Sequence, residues 1–224
     1  MELTDGVHAF PQTIERDSGD QTFYPSAVET PKGVILVDVG FPGLTEQVET
    51  NLTDAGFEWN DVRAVVLTHQ DGDHAGGLAD VLDRTDATVY AHERCAPYVD
   101  GREHPLKSSG EDRYPPVPVD VELVDGVSFR TDAGPMDVVF TPGHAPGHIS
   151  LHLPDAGLLL AGDATIADEN GLAGPNEQFT PDMNTALDSL DRLADLDFDQ
   201  TLCHHGGFVD EGASRLANIV ERSR

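Results

Sequence analysis

Two short segments concentrate imidazole and carboxylate. Residues 68–74 read THQDGDH and residues 141–148 read TPGHAPGH. In extended backbone, residues two apart face the same side, so His69 and Asp71 can grip one ion. Adjacent Asp73 and His74, where the chain turns toward a helix, can face a second. His144 and His148 follow a Pro-Gly turn that lets a side chain reach back over a sheet edge, while Asp163 and the pair His204 and His205 add a further carboxylate and imidazole. Imidazole with carboxylate and without thiolate suits zinc, iron or manganese. Two such ions about 3.5–4 Å apart share a hydroxide and clamp an electrophile between them.

These residues need rigid elements behind them. Residues 34–39, 62–67 and 158–161 are apolar, rich in branched side chains and bounded by turn residues, which predicts buried strands. Further strands are predicted at 23–29, 88–91, 127–131, 136–140 and 149–153, and helices at 44–55, 76–84, 182–193 and 212–223. Pro181 followed by Asp182 is a start signal for the third helix. The imidazoles and carboxylates therefore recur at the ends of four predicted strands, where sheet proteins build sites. The segments GVILVDV (33–39) and GLLLAGD (157–163) look alike and hint at a repeated half. Two loops, 100–120 with its YPPVP run and 165–180 with Gly171, Gly174 and Pro175, could wall a site.

The 224 residues are 38% hydrophobic, in distinct runs, which is enough for a sizeable core and excludes disorder as the main state. No apolar stretch approaches the ~20 residues of a bilayer span, and MELTDGVHAF lacks a basic leader, so a soluble cytoplasmic protein is expected. Cys95 and Cys203 are expected to be buried free thiols. Forty-one acidic residues against 13 basic ones give a formal charge of −28, and only Lys32 and Lys107 are lysine. Such a surface repels nucleic acid and anionic lipid, which leaves a small-molecule substrate as the expected partner. Dispersed acid with little lysine resembles proteins of salt-adapted (halophilic) organisms, where screening removes most self-repulsion.

The motifs together resemble the metallo-β-lactamase superfamily, whose usual signature is HxHxDH, a His in a TPGH context, an Asp in a GD context and a late His before Gly. All four blocks occur in order between residues 69 and 205, and LVDVG at 36–40 is also similar. The resemblance implies one α/β domain over residues 1–224, a four-layer αββα sandwich of two mixed β-sheets flanked by helices. By the same resemblance a first metal falls on His69, Asp71 and His144. A second falls on Asp73, His74 and His205, with Asp163 bridging. His205 rather than His204 takes the late position because it directly precedes Gly206, and neighbouring strand residues face opposite ways. His148 and Asp38 are implied as supporting residues, Asp38 by orienting a ligand imidazole; His152 is read as packed. The implied cofactors are two divalent metal ions, zinc foremost, with iron or manganese as alternatives. The implied activity is hydrolysis of an ester, lactone or thioester of the glyoxalase II kind by hydroxide held between the metals, with Asp73 as the catalytic residue that orients the nucleophile. No GxSxG elbow occurs, and a serine triad is not needed. Two rival readings are a non-heme iron oxidoreductase of the flavodiiron or persulfide dioxygenase kind, and a non-catalytic scaffold with a degenerate site.

Asp71 departs from the family pattern, which has histidine there. With Asp71 as ligand, two divalent ions against three carboxylates and a hydroxide sum to a neutral centre, one charge below the histidine version. A less positive site acidifies bound water less. The expectation is a preference for harder metals and a raised pH optimum. An Asp71→His variant should move the pH–rate profile down and the preference toward zinc; an unchanged profile and preference would contradict it.

Overall fold

A computed structural model describes residues 1–17, 19–107 and 113–223. Its first half runs β1 (Glu2–Thr4), β2 (Val7–Ala9), β3 (Gln12–Ile14), β4 (Gln21–Phe23), β5 (Ser26–Thr30), β6 (Gly33–Val37), α1 (Thr45–Asp54), β7 (Val62–Leu67), α2 (Gly72–Ala75), α3 (Leu78–Leu82), β8 (Thr88–His92), α4 (Ala96–Val99) and β9 (Val121–Leu123). The second half runs β10 (Ser128–Thr131), β11 (Gly134–Phe140), β12 (Ile149–Leu153), β13 (Leu158–Gly162), β14 (Ile166–Asp168), β15 (Gly171–Ala173), α5 (Met183–Ala194), β16 (Gln200–Cys203), β17 (Gly207–Val209) and α6 (Ala213–Ser223). A seven-stranded sheet has the order β1-β2-β5-β6-β7-β8-β9, and a six-stranded sheet has the order β10-β11-β12-β13-β16-β17. Both are mixed: β6, β7, β8 and β9 pair in parallel, as do β13 and β16, and the other neighbours are antiparallel.

Alternation along the central strands produces the layers. In β6, Val34 and Leu36 face a core shared with Val48 and Leu52 of α1 and Leu78 and Val81 of α3. Ile35 and Val37 face the other way, into an apolar seam with Met136, Val138, Leu151 and Leu160 of the second sheet. In β13, Leu158 and Leu160 point into that seam, while Leu159 and Ala161 meet Leu190 of α5 and Leu216 of α6 in a third core. A strand buried on both faces must be apolar at every position, which is why these runs do not alternate in sequence. The result is helices, sheet, sheet, helices: the αββα arrangement.

The resemblance between residues 33–39 and 157–163 has a structural counterpart. Strands β6 and β13 each pair antiparallel with the preceding long strand, β5 or β12, and parallel with a later one, β7 or β16. Each ends at an aspartate, Asp38 or Asp163, and both carboxylates are buried. Helix α5 starts where expected, with Asp182 as its N-cap accepting from the Thr185 backbone N at 3.0 Å.

Several boundaries differ from expectation. The strand predicted at 23–29 is divided, Phe23 closing β4 and Ser26 opening β5, because Pro25 cannot donate to a ladder. The helix predicted at 76–84 starts at Leu78 and follows the separate turn α2. Gly76 and Gly77 lie between them: a Cβ at Gly77 would stand 3.0 Å from the carbonyl oxygens of Val39 and Phe41. The predicted loop 165–180 contains the hairpin β14–β15. Residues 108–112 of the predicted loop 100–120 lie outside the described residues. Both cysteines are buried and free, and burial pushes the Cys203 thiol up to about 12. Among the described residues no helix is long and apolar enough to cross a membrane.

Candidate metal centre

Strands β6, β7, β11, β13 and β16 all run in one direction within their sheets, so their C-terminal ends share an edge. Just beyond these ends lie Asp38, His69 to His74, His144, Asp163 and the pair His204 and His205. Side chains scattered over more than 130 positions therefore meet at the floor of a cleft of about 780 Å³.

The floor contains two groups of residues that could each hold an ion. In the first, Asp71 Oδ2 lies 3.2 Å from His69 Nε2 and 3.1 Å from His144 Nε2. In the second, His205 Nε2 is 3.3 Å from Asp73 Oδ2, and His74 Nε2 is 3.9 Å from the same oxygen. Asp163 stands between them: Oδ1 is 3.2 Å from His74 Nε2, and Oδ2 is 3.2 Å from His144 Nε2 and 3.3 Å from His205 Nε2. The triads His69, Asp71, His144 and Asp73, His74, His205 each bring their donor atoms within 4.8 Å of one another.

These residues fit divalent cations on their own chemistry. His69 Nε2, His74 Nε2 and Asp163 Oδ1 are buried without a hydrogen-bond partner. Orphaned polar atoms inside a protein are costly and therefore uncommon. Here they converge, and a cation between them would satisfy all three at once. Imidazole and carboxylate donors without thiolate suit zinc, iron or manganese.

Neighbouring residues aim the ligands. Asp38 accepts from the Thr68 backbone N at 2.8 Å, from Thr68 Oγ1 at 2.7 Å and from His74 Nδ1 at 2.7 Å. This leaves His74 Nε2 directed toward Asp163. Asp38 is the one described residue other than glycine with positive φ, at 59°. His148 has both ring nitrogens engaged: Nδ1 is 2.8 Å from Thr141 Oγ1, and Nε2 accepts from the Asp163 backbone N at 2.9 Å. That close approach requires glycine at 162, where φ is 57° and a Cβ would stand 2.7 Å from His148 Nε2. His204 is buried and stacks on His74 with ring centroids 3.6 Å apart, and it is His205 that lines the cleft. His152 is packed, its Nε2 bonded to the Asp197 carbonyl at 2.9 Å.

Charge is strongly coupled across the floor. Burial pushes the carboxyls of Asp71, Asp73 and Asp163 up, but adjacent imidazoles outweigh it and hold all three well below the usual range. Burial pushes His74 down, and Asp163, Asp38 and Asp73 reverse it. His205 follows the same pattern: burial lowers it, and its bonds to Asp163 and Asp73 hold it at about 9. An unfolded imidazole titrates near ~6.5. In metal-free protein the His205 contact is therefore fully stabilising below that value and is lost as pH rises through about 9. Chelator-treated protein should unfold at a lower urea midpoint above pH 9 than near neutrality. Equal midpoints would show that His205 gains nothing from the two carboxylates.

The loops expected to wall a site do line the cleft, through Lys107 and Tyr114 of 100–120 and Phe179 of 165–180, although the pattern did not single out these residues. Lys107 lies on the first group, its Nζ 2.5 Å from Asp71 Oδ2 and 2.6 Å from His144 Nε2. The Tyr114 hydroxyl donates to the Gln70 carbonyl at 2.8 Å, which ties the YPPVP run to the ligand loop. Phe23 and Phe41 meet edge to face at 5.2 Å, and with Phe179 they supply apolar wall.

Comparison with known proteins identifies the family and the fold. The sequence family described as the metallo-beta-lactamase superfamily matches residues 26–205. A probable metallo-hydrolase of Bacillus subtilis (strain 168) is 30% identical, covering 98% of this chain and 94% of its own length. A hydroxyacylglutathione hydrolase of Cereibacter sphaeroides is 28% identical over 70% of this chain and 52% of its own. The solved structure of a metallo-beta-lactamase family protein from Thermus thermophilus superposes with a TM-score of 0.76 and 25% identity, covering 99% of this chain and 80% of that one.

Proposed function

This chain belongs to the metallo-beta-lactamase superfamily, and from that membership we propose that it is a hydrolase of ester, thioester or lactone bonds dependent on divalent metal. One observation carries the reading: His69, Asp71, His144, Asp73, His74 and His205 converge around Asp163 with three buried donor atoms unpartnered, at the floor of an open cleft. The likeness to a hydroxyacylglutathione hydrolase, named for a thioester substrate, favours acyl transfer to water over phosphodiester cleavage. The net charge of −28 argues in the same direction, since it disfavours a polyanionic substrate.

When bound, divalent ions supply Lewis acidity and a water that ionises near neutral pH. The chain's own residues do the remaining work. Asp38 fixes the tautomer and direction of His74, and His148 anchors the backbone of Asp163, so both ligands are preorganised. Asp73 lines the cleft as a carboxylate, in position to accept a hydrogen bond from the attacking water and so orient it. Phe23, Phe41 and Phe179 offer apolar surface for the acyl portion and reduce access of bulk water.

The test begins with metal identity and stoichiometry in protein purified without chelator. A panel of thioesters, lactones, phosphodiesters and β-lactams follows, assayed with and without molar salt and after chelation. Chelator-sensitive turnover of an acyl substrate, restored by zinc or manganese, is the expected result. Iron retained with no hydrolysis of any panel member would replace the hydrolase reading with a redox one.

A further inference from the structure

The contacts of Lys107 raise a question about the first ligand group. Its ammonium touches Asp71 Oδ2 at 2.5 Å and His144 Nε2 at 2.6 Å, two of the three donor atoms of that triad. An unprotonated imidazole nitrogen has one lone pair in the ring plane. His144 Nδ1 lies 3.5 Å from Thr180 Oγ1, so Nε2 is the nitrogen that faces Asp71 and Lys107. Its lone pair can accept from the ammonium or bind a metal ion, but not both. Charge runs the same way: an ammonium beside Asp71 already neutralises that triad. The second group contains two carboxylates, Asp73 and Asp163, and among the described contacts no lysine or arginine reaches them.

We propose that Lys107 is a tethered cation that occupies the triad His69, Asp71 and His144, so that metal loading is sequential. The group Asp73, His74, Asp163 and His205 fills first and tightly. A second ion enters the triad only by displacing Lys107. Asp71 makes this arrangement possible, because a histidine in its place would offer the ammonium no charge. Lysine is otherwise nearly absent from the chain, with Lys32 its other instance. The Lys107 side chain is about a quarter exposed, at 27%, and has an open cleft to withdraw into.

The inference rests on the metallo-hydrolase reading, and stepwise metal binding separates the two. Metal-free protein is titrated with zinc and, separately, cobalt(II), with step affinities from calorimetry and chelator competition and site occupancy from the cobalt absorption spectrum. Wild type should bind one ion tightly and the second much more weakly. A state available less than a tenth of the time weakens binding by at least about tenfold. Lys107→Met should therefore tighten the second step at least about tenfold, leave the first step unchanged, and produce the second cobalt spectrum at lower metal concentration. Lys107→Gln provides the same test if the Met variant folds poorly. Arg16→Met removes another cation that lines the cleft and should leave both steps unchanged. A second step unaltered in the Lys107 variants, or tightened equally by Arg16→Met, overturns the inference while leaving the hydrolase reading intact. Binding of no ion by any of the proteins would overturn both.

Discussion

Asp163→Asn is expected to abolish metal retention and lower turnover by at least about 10³-fold, the scale of losing a major electrostatic stabiliser. The substitution keeps shape and volume, so the fold should survive, with the backbone N of residue 163 still donating to His148 Nε2. The loss is electrostatic. Oδ1 and Oδ2 contact imidazoles of both ligand groups, at 3.2 Å from His74, 3.2 Å from His144 and 3.3 Å from His205. An amide offers a cation one neutral oxygen in place of two anionic ones, and it removes a negative charge buried against three histidines. Metal content by mass spectrometry, turnover and far-UV circular dichroism together check the expectation. A folded variant that retains metal and activity within about tenfold would remove Asp163 from the centre.

Asp38→Ala is expected to weaken metal binding and turnover about 10- to 100-fold, the usual effect of losing the partner that orients a ligand histidine. It should also destabilise the metal-free protein. The Thr68 backbone N and His74 Nδ1 would lose their acceptor inside the core, each at a cost of about 1–3 kcal/mol. Alanine would also be forced into the left-handed region at φ 59°, which costs roughly 1–2 kcal/mol more. Asparagine tolerates that conformation, but its single oxygen can accept from the Thr68 backbone N or from His74, not both, so Asp38→Asn should recover only part of the stability and part of the affinity. Urea midpoints of the metal-free proteins and chelator-competition affinities separate the two effects. If Asp38→Ala lowers the midpoint but leaves affinity unchanged, Asp38 supports the fold alone.

The central strands and the imidazole–carboxylate clusters could be read from local pattern for one reason, while the division of those clusters into two metal sites came from the family resemblance. A strand buried on both faces writes a continuous apolar run, and residues that must meet at its end follow that run directly, as His69 follows β7 and Asp163 follows β13. Short edge strands leave no such trace. Three-residue elements such as β1, β9 and β17 are set by pairing with a neighbour already in place, which no local window contains. The position of Lys107 is hidden for the same reason: it reaches Asp71 from 36 residues away, on a loop without periodicity. The positive φ of Asp38 was also invisible, because an aspartate after a strand reads as an ordinary turn residue. Only the Thr68 and His74 bonds explain why it tolerates that backbone.

The apolar seam between the two sheets has a consequence for the metal centre. Each triad that could hold an ion joins residues from both halves of the chain: His144 completes one that starts just after β7, and His205 completes the other. Ion binding and docking of the halves are therefore thermodynamically reciprocal. An ion bound there would rivet the sandwich shut and raise its resistance to unfolding with ion concentration. Conversely, a cavity opened far from any ligand, at Met136 or Leu151 in the seam, lets the halves shift and would register first as poor ion retention. In this architecture a packing defect and a binding defect look alike until stability is measured without the ion.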